Sequence, residues 1–139
     1  MSRYINDTLS KQVLLCANGI CEYCRISIDD TYFGGEIDHI RSLKHNGQTE
    51  LNNLALACQP CNRNKGSDLG SIATTSETLV RFFNPRTDIW PEHFHVNQIA
   101  EIEALTEIGE VTALIFGFND LERIAERKGL IEIGHYEFT

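Results

Sequence analysis

Apolar residues in this chain fall in short groups set off by glycine, asparagine and proline, and the spacing within each group predicts one element. From Thr8 to Ala17 the pattern predicts a helix with Val13, Leu14 and Cys16 facing inward, stopped by Asn18-Gly19. Cys16 reads as a small buried apolar residue. The stretch Arg25 to Phe33 alternates weakly and ends in Gly34-Gly35, which predicts a short strand or an irregular arm. Glu36 to Leu43 carries Ile37 and Ile40, a turn follows at His45-Asn46-Gly47, and Leu54 and Leu56 alternate with smaller residues between Leu51 and Ala57. This is the pattern of a β-hairpin-like pair. Past Pro60, the run Cys61 to Lys65 suits the first turns of a short helix ended by Gly66. Strand, strand and helix then surround one locus. Further on, Thr106 can cap a helix running to about Phe118, with Ile108, Val111, Leu114, Ile115 and Phe118 as its apolar stripe. Asn119 or Asp120 caps a second helix carrying Leu121, Ile124 and Ala125 and ending near Gly129. The stripe is expected to pack in a core, with a homodimer surface as the alternative.

Length and charge change the picture in two ways. At 139 residues the chain fits one domain, residues 1–139, made of a core over 8–70 and an extension over 71–139 that holds the helical hairpin. No apolar run approaches the roughly 18 residues needed to cross a bilayer, and the first residues have no secretory pattern, so the expectation is a cytoplasmic protein without a membrane partner. The net charge of −8 argues against a nucleic-acid partner until it is divided along the chain. Residues 100–139 hold nine acids and three bases, which leaves only −2 for the first 99 residues. Between Glu36 and Lys65 the bases Arg41, Lys44, Arg63 and Lys65 outnumber the acids Glu36, Asp38 and Glu50. A local surface that attracts phosphate is compatible with the acidic total.

The chemistry is concentrated in the same stretch. Cys21 and Cys24 form one C-x-x-C pair and Cys58 and Cys61 another. Two residues between cysteines let both thiolates reach one ion from a single tight turn, so two such turns complete a tetrahedral shell of four sulfurs for a structural Zn2+. Disulfides are the alternative, disfavoured because an intracellular chain keeps its thiols reduced. The 33 residues between Cys24 and Cys58 are more than a plain zinc ribbon needs, and they enclose the dyad Asp38-His39. A phosphodiester resists hydrolysis because its charge repels nucleophiles and its alkoxide leaves poorly, so cleavage needs a base for water and a cation for the oxygens. His39 can be the base, while Asp38 and the amide oxygen of Asn62 suit a hard divalent ion. Asn53 is expected to pin the hairpin loop or to orient His39. Adjacent strand residues face opposite ways, so an irregular strand end is expected at Asp38-His39.

At these residues the sequence resembles the HNH, or ββα-metal (His-Me finger), endonuclease family, in its small free-standing bacterial form with a four-cysteine zinc site. The resemblance rests on Cys21-x-x-Cys24, Glu36-Ile37-Asp38-His39-Ile40, Asn53-Leu54 and Cys58-x-x-Cys61-Asn62-x-x-Lys65-Gly66. It implies an α+β fold with a zinc-stapled ββα-metal core, an N-terminal helix and a C-terminal helical hairpin. It also implies metal-dependent hydrolysis of DNA, expected to be double-stranded, to 5′-phosphate and 3′-hydroxyl ends. His39 would be the general base, Asn53 the structural asparagine of the catalytic motif, and Asp38 and Asn62 the ligands of one catalytic divalent ion. The family often has histidine where this chain has Asn62, so Mg2+, Mn2+, Ni2+ and Zn2+ all stay open. Arg41, Arg63 and Lys65 would hold the nucleic-acid backbone. The stretch with Phe83-Asn84-Pro85-Arg86, Trp90, His93-Phe94 and Leu105-Thr106-x-x-Gly109 resembles the tail of a bacterial subgroup, in which the position of Glu110 is usually basic.

Blander readings attach to the remaining candidates. His93 and His95 are expected in packing rather than on a metal, and His45 and His135 as solvated residues. Arg86 reads equally as a structural partner of an acid and as a DNA contact. The alternative to the enzyme is a non-catalytic zinc-knuckle module that presents its bases to nucleic acid or its acidic tail to a protein.

Overall fold

The computed structural model describes residues 4–136, and the chain divides into two compact units, 1–69 and 70–139. Among the described residues there are five α-helices and three two-stranded antiparallel sheets, an α+β fold in agreement with the sequence expectation. No helix among them is long and apolar enough to cross a membrane.

The first unit opens with helix α1 (Asp7–Ala17), which Asn6 caps by accepting the Leu9 N–H at 2.8 Å, and Asn18 in the left-handed region ends it. Its inward face is Ile5, Leu9, Val13 and Ala17, a strict four-residue stripe that packs on Leu54 and Leu56. Leu14 and Cys16, expected to face inward, are exposed because they lie off that stripe. Past α1 a single bridge between Ile20 and Ser27 and a 3-10 turn at Ile28–Asp30 form the irregular arm.

Strands β1 (Gly35–His39) and β2 (Leu54–Cys58) pair antiparallel one residue to one, from Gly35 with Cys58 to His39 with Leu54. The bulge expected at Asp38-His39 is absent. The strand stays regular to its last residue, and the bend comes only at Ile40, whose N–H donates to the Asn53 carbonyl at 2.8 Å. All five residues of β2 are buried, so this strand is the spine of the unit. Helix α2 (Gln59–Lys65) follows with no intervening loop, started by Pro60 and ended by Gly66 at φ +54.

The 40–53 connection between the strands is held by one side chain. Asn53 accepts the Arg41 N–H at 2.8 Å and donates to the carbonyls of Arg41 and Gln48 at 2.9 and 2.8 Å. Gly47 is buried beneath that clamp, and a Cβ there would lie 1.7 Å from the Arg41 carbonyl oxygen. Only glycine allows so close a backbone approach.

In the second unit β3 (Gly70–Ile72) pairs with β4 (Leu79–Arg81), and a one-turn helix α3 (Trp90–His93) leads into β5 (Phe94–Val96), which pairs with β6 (Ile102–Ala104). Helix α4 (Glu107–Phe116) is capped by Thr106, whose hydroxyl accepts the Gly109 N–H at 3.0 Å. A Cβ at Gly109 would meet the His93 carbonyl oxygen at 2.3 Å, which explains the glycine in Thr106-x-x-Gly109. His93 itself is structural, with Nδ1 2.6 Å from the Thr106 hydroxyl. The core is aromatic, with Phe94 in ring contact with Phe83, Trp90 and Phe118. Glu110, where the resembled subgroup carries a base, accepts the N–H and hydroxyl of Thr74 at 2.7 and 2.9 Å, so here the acid ties the turn between β3 and β4 to α4.

Helix α5 (Leu121–Glu132) departs from expectation in three respects. It runs past Gly129, Leu121 and Ala125 are exposed, and its buried face consists of Arg123 and Arg127. Arg123 donates to the Phe116 carbonyl at the end of α4, and Arg127 donates to the carbonyls of Ala100 and Phe118 and to the Asn119 side chain. Carbonyls that α4 and the adjoining turns leave unpaired draw the two guanidinium groups inward. Asn119 caps no helix, because its amide is held by both backbone groups of Ile102. Leu114, assigned to the stripe of α4, is exposed, and Thr112 occupies the core instead because its hydroxyl accepts the Phe83 N–H at 2.8 Å.

Two outcomes follow from these anchors. Asn53→Ala removes three hydrogen bonds at once and is expected to lower the stability of the first unit by about 2 to 4 kcal/mol, measured by denaturant unfolding of the zinc-loaded protein. In the second unit the bidentate partner Arg81, 2.7 and 2.9 Å away, holds the Asp88 carboxyl below its ordinary range. The stabilisation is therefore complete above the unfolded value of about 4 and is lost as pH falls through the lower, folded one. The difference in Tm between wild type and Asp88→Asn should be constant near neutrality and close below about pH 4.

Candidate active site and metal centre

Four sulfurs meet where the two C-x-x-C turns converge. The Sγ atoms of Cys21, Cys24, Cys58 and Cys61 all lie within 4.8 Å of one another and all four residues are buried. Tetrahedral zinc–sulfur bonds of about 2.3 Å put sulfurs about 3.8 Å apart, and the Cys24 and Cys58 sulfurs are 3.6 Å apart. The Cys24 N–H points at the Cys21 sulfur, 3.5 Å away, as a thiolate acceptor requires. Burial, with hydrogen bonding to Cys21 and Cys24 behind it, pushes the Cys61 thiol well above its usual range. Four buried sulfurs this close together suit thiolates gathered around a cation, and the donor set fits Zn2+.

The first turn also grips the hairpin. Glu22 donates its N–H to the Leu56 carbonyl at 2.9 Å and accepts the Leu56 N–H on its carboxylate at 2.8 Å. Tyr23, fully buried, donates its hydroxyl to Asp38 Oδ2 at 2.8 Å. Burial and the Asp38 charge push the phenol well above its ordinary range, so it remains a donor at neutral pH.

Asp38, His39 and Asn62 line one open cleft of about 550 Å³, together with Ser42, Lys44 and Ser67. Two adjacent strand residues reach the same space because β1 stops at His39 and the cleft lies at that strand end. Asp38 is buried between the phenol of Tyr23 and the ammonium of Lys65, whose Nζ lies 3.2 and 3.3 Å from the two carboxylate oxygens. Burial pushes the Asp38 carboxyl above its ordinary range, and Lys65 and Tyr23 pull it part of the way back. His39 Nε2 lies 2.9 Å from the Thr49 hydroxyl. Asn62 donates its amide to Glu36 Oε2 at 2.9 Å, which turns its carbonyl oxygen away from the acid. A carboxylate and an amide oxygen on one cleft wall, with room for water, are the donor types a hard divalent ion takes.

The other expected site residues separate. Asn53 stands outside the cleft lining, on a 3-10 turn just before β2, and clamps the loop as expected. Arg41 and Arg63 are exposed. Lys65, expected on the nucleic-acid surface, is 2 % exposed and turned inward, donating to the His39 carbonyl at 2.9 Å as well as to Asp38. It shares with Asn62 the face of α2 that packs on β1, three residues apart, so the helix carries it to the acid rather than to solvent. Sequence reasoning passed over Tyr23 and Thr49 entirely, because a tyrosine between ligands and a threonine in a loop have no spacing that marks them. Lys44, which the sequence marks only as a positive charge, lies on the cleft wall.

Among known proteins, residues 21–68 match the sequence model of the HNH endonuclease family, a segment of about a third of the chain. No curated protein and no solved structure matches the chain. The matched segment begins at the first knuckle cysteine, spans the β1–β2 hairpin and α2, and ends beside the cleft, so it is over these residues that the chain is similar to the HNH endonuclease family.

Proposed function

We propose that this protein is a metal-dependent endonuclease that hydrolyses DNA phosphodiester bonds, with His39 as the base and Asp38 and Asn62 as the ligands of a single divalent ion. The observation that carries the reading is that a basic imidazole, a carboxylate and an amide oxygen line one cleft in a segment that matches a nuclease family. His39 Nε2 shares a hydrogen bond with the Thr49 hydroxyl, which orients the imidazole that would take a proton from water. The chemistry a divalent ion supplies at Asp38 and Asn62 is positive charge for the phosphate oxygens and the departing 3′ oxygen. Glu36 and Lys65 orient those two side chains through their hydrogen bonds. Lys44 on the cleft wall, with exposed Arg41 and Arg63, would engage the phosphates on either side of the cut. Zinc in the four cysteines is a structural element that takes no part in the reaction.

The test is conversion of supercoiled plasmid to nicked or linear DNA by zinc-loaded protein supplied with Mg2+, Mn2+ or Ni2+. Cutting should need the added ion and should fall by at least about 100-fold in His39→Ala, with DNA binding retained. DNA binding without ion-dependent cutting, by folded wild type, would point to a non-catalytic zinc module. Removing zinc with a thiol-reactive mercurial and a chelator should unfold the first unit, read as loss of its far-UV circular dichroism, and readdition of Zn2+ should restore it.

A further inference from the structure

We propose that Tyr23 is a positioning residue for the catalytic divalent ion, so that zinc in the four cysteines sets the phenol and the phenol sets the Asp38 carboxylate. The inference rests on the reading of Asp38 as a ligand of that ion. Tyr23 stands between two zinc ligands, and its neighbours in sequence, Glu22 and Cys24, are both fixed, one to both backbone groups of Leu56 and one to the sulfur cluster. The ring is buried and would pack as well without its oxygen, yet the hydroxyl reaches Asp38 Oδ2 at 2.8 Å. Oδ2 is thereby held from the side of the zinc turn, while Lys65 reaches both oxygens from α2, 3.2 Å from Oδ2 and 3.3 Å from Oδ1. A carboxylate held from both sides keeps its plane and direction, so an ion that takes a lone pair of Oδ1 in place of the ammonium meets a ligand already ordered, and that ordering entropy is lost at folding rather than at ion binding. Glu22 grips Leu56 on the facing strand, whereas Tyr23 touches the acid itself, so a single side chain would couple the two metal sites.

The experiment measures Mn2+ binding by electron paramagnetic resonance on full-length, zinc-loaded protein, with zinc stoichiometry determined for every sample. Asp38→Ala should abolish binding, and Tyr23→Phe should weaken it about 10- to 100-fold while retaining the zinc. Glu22→Gln serves as the control, because Glu22 grips β2 from the same turn without touching Asp38, and it should bind Mn2+ as the wild type does. Wild-type affinity in Tyr23→Phe, with binding lost in Asp38→Ala, would overturn the inference and leave the functional reading standing. Equal weakening in Glu22→Gln and Tyr23→Phe would overturn it too, by showing a general loosening of the turn. If Asp38→Ala binds Mn2+ normally, both readings fall. If Tyr23→Phe does not hold zinc, the wild type loaded with Co2+ in the cysteine site gives a second readout. Its cobalt–thiolate absorption should shift on Mn2+ addition with the midpoint of the resonance titration, and an unmoved spectrum would overturn the coupling.

Discussion

Convergence of four sulfurs on one point is the constraint on which the first unit depends. Cys58 is the last residue of β2 and Cys61 lies in the first turn of α2, so the second pair joins strand to helix with no loop between them. Cys21 and Cys24 bring in the segment after α1, and their turn is hydrogen-bonded to Leu56 on both backbone groups. A unit of some seventy residues has a thin core, here chiefly Val13, Ala17, Leu54 and Leu56 with their neighbours. For so small a unit a metal held by the four cysteines would substitute for missing apolar burial.

β2 is wholly buried and in register with β1, and register decides on which side each β1 residue emerges. Asp38 then falls between Tyr23 from the zinc turn and Lys65 from α2, while His39, at the strand end, turns to Thr49. A buried carboxylate between a phenol and an ammonium has its charge offset in advance, and an incoming cation would share it with Lys65.

The second unit solves a different problem with a different device. Its aromatic core is closed by two buried arginines that saturate carbonyls at the end of α4 and in the turns beside it. Leu105, Leu114 and Leu121 are left exposed by that arrangement. Hydrophobicity alone assigned two of them to the interior, since periodicity counts apolar side chains and takes no account of orphan carbonyls.

Much of the fold and site was legible in the residues themselves wherever chemistry demands a fixed spacing. The two C-x-x-C pairs announced the four-sulfur cluster, Asp38-His39 with Asn62 announced residues that do meet in one cleft, and Asn53 its loop clamp, because ligand number, donor type and turn length are local properties. Thr106 and Gly66 marked helix ends for the same reason. What only the tertiary structure decided was which way side chains turn and what they meet across the chain. Lys65 points inward to Asp38, Tyr23 reaches the same carboxylate from the zinc turn, Leu14 and Cys16 face solvent, and Arg123 and Arg127 do not. The contacts of Tyr23 and Lys65 with Asp38 and of Arg127 with Ala100 join partners 15 to 27 residues distant, and no periodicity of the sequence encodes a pairing that exists only once the strands and helices have packed.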